Sequence, residues 1–269
     1  MKILQLSTNL FIAAVISITI DCLLKLTSNS ETVGTATNQA IVIGLSPQEQ
    51  REKSSQSEKL DFSGDGRPGK RAGGGSRNTC PSTNMNLTAL VPANNVGTTV
   101  SDRPNFWFYV PHTPQQATAG EFVLQDRQEN DVYRQTFTLP DTPGLVSLQL
   151  PQTAPALAVD QSYHWYFKLY CGDFSSAANF VEGWVVRIPL PPDLSTRLKQ
   201  EKDLAYSEYG NRSIWFNSLD SLAQLRLKND NPQLKSDWNK LLSAEGVDLD
   251  KLTQKPLVGT VKNTARDNQ

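Results

Sequence analysis

Nine residues constrain this chain more than any other stretch: Tyr-His-Trp-Tyr-Phe-Lys-Leu-Tyr-Cys at positions 163–171. A β-strand sends successive side chains to opposite faces. Extended, the segment turns Tyr163, Trp165, Phe167, Leu169 and Cys171 to one side and His164, Tyr166, Lys168 and Tyr170 to the other. The first side suits an interior, the second solvent or a neighbouring layer. A fold for this chain must therefore give the strand one buried face.

Shorter strand-like runs flank it, separated by turn residues. Residues 87–91, 98–101, 105–110, 121–126, 132–139, 145–150 and 180–188 fit this pattern, with breaks such as Gln-Glu-Asn-Asp at 128–131 and Pro-Asp-Thr-Pro-Gly at 140–144. That density of short strands predicts an antiparallel sandwich over residues 80–190. Leu157 stands six residues before Tyr163, which resembles the tyrosine corner of immunoglobulin-like and fibronectin type III domains, where the phenol bonds back to the connecting backbone. Residues 87–107 resemble the opening strands of bacterial immunoglobulin-like modules. The expected fold class is an all-β immunoglobulin/fibronectin III-like sandwich, with Trp107 and Trp165 packed between its sheets.

Beyond Pro191-Pro192 the apolar spacing turns helical. Leu194, Leu198, Ala205 and Tyr209 share one face. Trp215, Leu219, Leu222 and Leu225 share another, after Ser213 as N-cap. Asn231 is placed to cap a third helix with Pro232 at its first position, and Gly246 to end it. The first two helices resemble a tetratricopeptide hairpin, so residues 191–246 read as a small α-helical C-terminal region of a hairpin plus one helix. Residues 247–269 read as a tail, polar and frayed from 262 onward.

The N-terminal 40 residues predict an export signal or N-terminal anchor. Lys2 supplies a positive end, and residues 10–20 are apolar but for Ser17 and Thr19. Asp21 and Lys25 break the run short of the roughly 20 apolar residues of a span, so no membrane span is expected in the mature chain. Cys22 follows Asp21, a poor fit to a lipoprotein site, and cleavage is expected near Ala36 or Ala40. Residues 41–79 read as a disordered spacer followed by a basic glycine-rich lead-in. Removal of the signal leaves Cys80 and Cys171, expected as a disulfide in an oxidising compartment; two buried inert cysteines are the alternative.

Lys and Arg number 26 against 27 Asp and Glu, a formal charge of -1. That balance provides no electrostatic basis for nucleic-acid binding. Two histidines, and no Cys-x-x-Cys or His-Glu-x-x-His pattern, point to no metal and no cofactor. His112 and His164 read as a loop and an outward-facing histidine, since no Gly-x-Ser-x-Gly elbow accompanies them. Three surfaces remain as candidates. Arg67, Lys70, Arg71 and Arg77 in the lead-in suit an anion or partner contact, or simply a flexible segment pinned at Cys80; without a Gly-Lys-Ser/Thr ending this is no phosphate loop. Trp107, Tyr109, Tyr166 and Tyr170 suit an aromatic platform for sugar or peptide, or burial beneath the helices. Glu121, Asp126, Glu129, Asp131 and Glu182 supply carboxylates for a glycoside-hydrolase pair, or simply strand-edge or salt-bridged carboxylates, with Glu182 the most notable because it lies in an aromatic strand.

Taken in order, Gly-Arg-Pro-Gly-Lys-Arg, Gly-Gly-Gly-Ser-Arg, Cys80-Pro81, Leu-Thr-Ala-Leu-Val-Pro, Phe-Trp-Phe-Tyr-Val-Pro, Glu-Phe-Val-Leu-Gln-Asp, Tyr-His-Trp-Tyr-Phe and Val-Glu-Gly-Trp-Val form a specific set. On these motifs the chain resembles the cyanobacterial family termed domain of unknown function 928, from about residue 66 to residue 242. Lys70 departs from the arginine expected there but keeps the charge. The resemblance implies an exported protein with no activity assigned, so no catalytic residue carries over. The expectation is a non-enzymatic binding or interaction module of the periplasm or cell exterior, contacting another envelope protein or a surface polymer. An envelope polysaccharide or peptidoglycan hydrolase is the alternative.

Overall fold

A computed structural model of the chain describes residues 59–73, 80–174, 177–200, 204–229 and 231–264. The expected export signal, most of the spacer, Arg77 and the last five residues lie outside them. Two sheets carry the fold. The first has four strands in the order β1 (Thr88–Ala89), β3 (Asn105–Val110), β6 (Gly144–Gln149), β9 (Leu257–Thr260). The second has six, in the order β10 (Lys262–Thr264), β5 (Asp131–Thr138), β4 (Ala119–Gln125), β7 (Ser162–Tyr170), β8 (Asn179–Arg187), β2 (Val96–Thr99).

Strand β7 is the expected aromatic ribbon, and its alternation holds. Trp165, Phe167 and Leu169 are buried, while His164, Tyr166 and Lys168 are half-buried on the outer face. Inward residues of both sheets meet in a layer of rings: Phe108 stacks on Phe167 at 3.9 Å between centroids, and Phe106 lies 5.0 Å from Phe122 and 5.9 Å from Trp165. Ring pairs at these separations add to the gain from burial itself. Space in this layer is limited, as Gly183 shows: a Cβ there would stand 2.4 Å from the Trp165 ring. Tyr163 behaves as expected from its sequence position, its phenol oxygen accepting the Ala158 N–H at 3.0 Å.

The sandwich is not wholly antiparallel. β2 runs parallel to β8 and β9 parallel to β6. The stretch expected to be a tail supplies β9, and its part expected to be frayed supplies β10; they pair with β6 in one sheet and β5 in the other. Between them the Val261 N–H donates to the Ser147 carbonyl at 3.0 Å. Lys262-Asn-Thr has no apolar pattern to announce a strand. It is held instead by its ladder to β5 and by side-chain bonds such as Gln135 to Asn263 at 2.8 Å.

The opposite side of the sandwich is closed from the N-terminal end. Residues 66–73 of the lead-in, read as a contact surface or a flexible segment, form with residues 59–65 a strap across the sheets. Its Lys70 carbonyl accepts from the Glu182 N–H of β8, while its Arg71 carbonyl accepts from Ala89 of β1. Both ends of the described chain thus seal gaps between sheets.

Four helices follow: α1 (Pro192–Gln200), α2 (Ala205–Gly210), α3 (Trp215–Lys228) and α4 (Pro232–Leu242). α1 and α2 are the described parts of the stretch expected as one helix. Asn231 caps α4 as expected, its side chain accepting the Leu234 N–H at 2.9 Å with Pro232 at the first position. Ser213 does not cap α3. It has φ +55, its hydroxyl donates to the Asp61 carbonyl, and Ile214 occupies the cap position without a side-chain bond. Gly246 lies beyond the end of α4, with φ +75 and the strap so close that a Cβ would meet the Ser63 backbone at 2.6 Å. That combination of positive φ and contact is open to glycine alone.

Candidate functional site

The two sheets turn different outer faces away from the core. On the four-stranded sheet, Asn105, Trp107 and Tyr109 point outward from β3 into cover. The indole N–H of Trp107 donates to Asp220 Oδ1 of α3 at 3.0 Å, and the Asn105 amide donates to the same oxygen at 2.8 Å. Tyr109 lies under the Lys255 ammonium, 5.5 Å above its ring. Trp107 and Tyr109 are buried, and burial pushes the Tyr109 phenol above its ordinary pKa.

On the six-stranded sheet, the outer face combines rings with charge. His164 stacks on Trp184 across β7 and β8 with centroids 4.2 Å apart and planes 7° from parallel. The Trp184 indole donates to the Pro68 carbonyl of the strap at 3.0 Å, and the Arg67 guanidinium lies 4.6 Å over its ring. His164 Nε2 is 3.0 Å from Glu182 Oε2, and its Nδ1 is 3.1 Å from the Tyr166 hydroxyl. Burial, followed by the Glu182 and Glu129 charges, raises the Tyr166 pKa, so the phenol keeps its proton and donates it to Nδ1. That leaves the Nε2 proton facing Glu182. Burial lowers the His164 pKa below its ordinary value, with the Arg67 charge adding to it and Glu182 opposing it.

Further along the same strands an open cavity of about 510 Å³ is lined by Tyr166, Lys168, Tyr170, Phe174, Ala177, Ala178 and Phe180. Phe174 is 54% exposed and packs against Tyr170 at 4.8 Å. Lys168 approaches the Tyr166 ring at 5.6 Å, and Lys70 of the strap lies 4.7 Å over Phe180. Cations held over ring faces in this way are an attractive pairing.

The aromatic quartet, expected either as a platform or as rings buried beneath the helices, is therefore divided. Trp107 and Tyr109 lie beneath the helical side on one sheet, whereas Tyr166 and Tyr170 face outward on the other. Alternation within a strand specifies a face but not the sheet to which it belongs. Phe174, Phe180 and Trp184 complete the open surface; aromatic density near residues 170–184 was the signal for them. Of the basic residues of the lead-in, Lys70 lies over Phe180 and Arg77 is outside the described residues, while Arg67 and Arg71 bond to the body of the fold. Arg67 donates to the Ser162 hydroxyl at 3.0 Å, and Arg71 donates to the Val91, Val247 and Asp248 carbonyls.

Of the candidate carboxylates, Glu121 and Asp131 are engaged with cations. Glu121 is 2.7 Å from Arg134 and 3.4 Å from Lys168. Glu182 faces His164, and Asp131 pairs with Arg134 at 2.6 Å. Asp126 accepts the Gln128 and Asn130 N–H groups in its own turn. Cys80 and Cys171 form a disulfide, with Cα atoms 4.9 Å apart. No helix of the described residues is long and apolar enough to cross a membrane.

A family model described as Domain of Unknown Function (DUF928) matches residues 72–257. The match begins in the strap and ends at the first residue of β9, so it takes in all four helices and both sheets except β10 and the rest of β9. No curated protein matches the sequence.

Proposed function

The chain belongs to the family described as Domain of Unknown Function (DUF928), and from that premise we propose that it is an exported, non-enzymatic binding module for a carbohydrate polymer of the cell envelope. The observation that carries this reading is the open aromatic cavity bounded by Tyr166, Tyr170, Phe174 and Phe180. Aromatic rings lining an open space suit the apolar faces of pyranose rings, and Lys168 in the same lining suits hydroxyl or carboxylate substituents. Phe174 supports the reading most strongly, because a large apolar ring exposed beside a cavity gains from being covered.

Export accords with the N-terminal apolar run and with a disulfide in a small β-rich unit. The Tyr163 bond to Ala158 supports placing the sandwich with the immunoglobulin-like and fibronectin type III group, extended by β9 and β10. The short turn joining α2 to α3 supports a tetratricopeptide-like relation for the helical region, a second surface for a protein neighbour. The hydrolase alternative lacks comparable support, since Glu121 and Glu182 each face a basic side chain rather than an open site.

The test is retention of the purified chain on insoluble envelope polysaccharide and on peptidoglycan, with Phe174→Ala and Tyr166→Ala beside it. Retention lost by at least about ten-fold in either variant, with thermal unfolding unchanged, is the expected result; stacking of one ring contributes on that order. Equal retention of the variants, or none of the parent chain, contradicts the proposal.

A further inference from the structure

The loop leaving β3 sets His112 beside the disulfide. His112 is 1% exposed, and one of its ring nitrogens and both sulfurs lie within 4.8 Å of one another. The three residues come from separate parts of the chain, before β1, after β3 and after β7. His112 is held on two sides: the Thr142 hydroxyl donates to its carbonyl at 2.6 Å, and its Nε2 is 3.1 Å from the Pro81 carbonyl. A carbonyl only accepts, so Nε2 carries the ring proton and Nδ1 the lone pair. Nδ1 is buried and has no hydrogen-bond partner among the described residues. Leaving a buried acceptor unmet is unfavourable, and such groups call for an explanation. An imidazole with one nitrogen tied to a carbonyl and the other bare is arranged as metal-binding histidines are.

We infer that Cys80, His112 and Cys171 form a redox-gated site for a thiophilic divalent cation, zinc in the first instance. In the disulfide the two sulfurs are bonded to each other and the set is closed. A dithiol reductant supplies two electrons and two protons: the S–S bond breaks, two thiols form, and the reductant is oxidised to its own disulfide. Zinc then displaces both thiol protons to water and is held by two thiolates and the Nδ1 lone pair, with water completing a tetrahedron. Two sulfurs and one imidazole favour zinc over magnesium or calcium, which prefer oxygen. Cys80 and Cys171 are only partly buried, so reductant and ion can reach them. The wide sequence separation of the three ligands is why no spacing motif announces the site.

The experiment titrates the purified chain with cobalt(II), then zinc, in its oxidised form and after reduction by a phosphine, which brings no competing thiol. The reduced chain is expected to bind one cobalt per molecule with a thiolate-to-cobalt charge-transfer band that zinc abolishes, and the oxidised chain to show no such band. His112→Gln, checked for folding in its oxidised form, is expected to weaken the reduced site by about ten-fold or more; Cys80→Ser is expected to remove it. If reduction loosens the fold, zinc is expected to restore the near-ultraviolet circular dichroism of the parent chain and not that of His112→Gln. No charge-transfer band in the reduced parent, equal affinity in His112→Gln, or a reduced chain that zinc neither binds nor refolds overturns the inference.

Discussion

The outer face of the four-stranded sheet and that of the six-stranded sheet present the same residue types to opposite ends. Trp107 on the first is sealed beneath α3, with its indole N–H met by Asp220. Trp184 on the second stays half-buried, with its indole met by the strap and its ring against His164 and Arg67. A helix that brings both apolar area and a matching acceptor turns an aromatic strand face into core. A strap of glycine, proline and long cationic stems leaves the second face open over the cavity at Tyr166, Phe174 and Phe180. The contrast teaches that the supply of cover, more than the strand's own residues, decides which face is free to bind.

Substitutions can break or sharpen that contrast. The largest effect is expected from Trp107→Ala, which empties a packed site and leaves Asp220 without its indole donor; urea unfolding should show a loss of about 3–5 kcal/mol. Next comes removal of the bridge in Cys80→Ala/Cys171→Ala. It spans a sequence separation of 91, and its loss should cost about 2–4 kcal/mol by the same measurement. Asp220→Ala tests the covered face through polarity alone. It leaves the Trp107 and Asn105 donors unmet, for a loss of about 1–3 kcal/mol.

The open face should respond to pH where the covered one does not. Burial sets the folded His164 pKa below its unfolded value near 6.5, so the unfolded chain takes up this proton first on acidification. The associated stability is fully present above that unfolded value and is lost as pH falls through the lower folded one. Urea midpoints should therefore fall between about pH 7 and pH 5, with a shallower fall in His164→Gln. The smallest stability change belongs to Phe174→Ala, within about 0.5 kcal/mol. A large loss there would mean that this ring is packing and that the two faces are alike.

Much of this architecture was legible from residue order. Period-two alternation over residues 163–171 located the central strand and its buried side, because apolar side chains on one face of a strand have to be covered. Asn231 and Pro232 marked the start of α4 through local chemistry confined to a single turn. What escaped notice depends on distant partners. Lys-Asn-Thr in β10 becomes a strand because backbone groups of β5 meet it, and β2, expected at 98–101, begins at Val96 because β8 pairs with it from there. Arg71 looks like a surface cation until the Val91, Val247 and Asp248 carbonyls are brought round it. Of the candidate site, Tyr166 and Tyr170 were visible in the pattern. Their separation from Trp107 and Tyr109 was not, since parity along a strand carries no information about which sheet the strand joins.

Hydrogen–deuterium exchange with and without solubilised envelope polysaccharide tests the central claim most directly. Binding at the open face predicts slowed exchange in β7, in β8 and in the described residues 171–174 and 177–178 between them, with β3 and α3 unchanged. Protection centred on β3 and α3, or no protection anywhere at saturating polysaccharide, would contradict it.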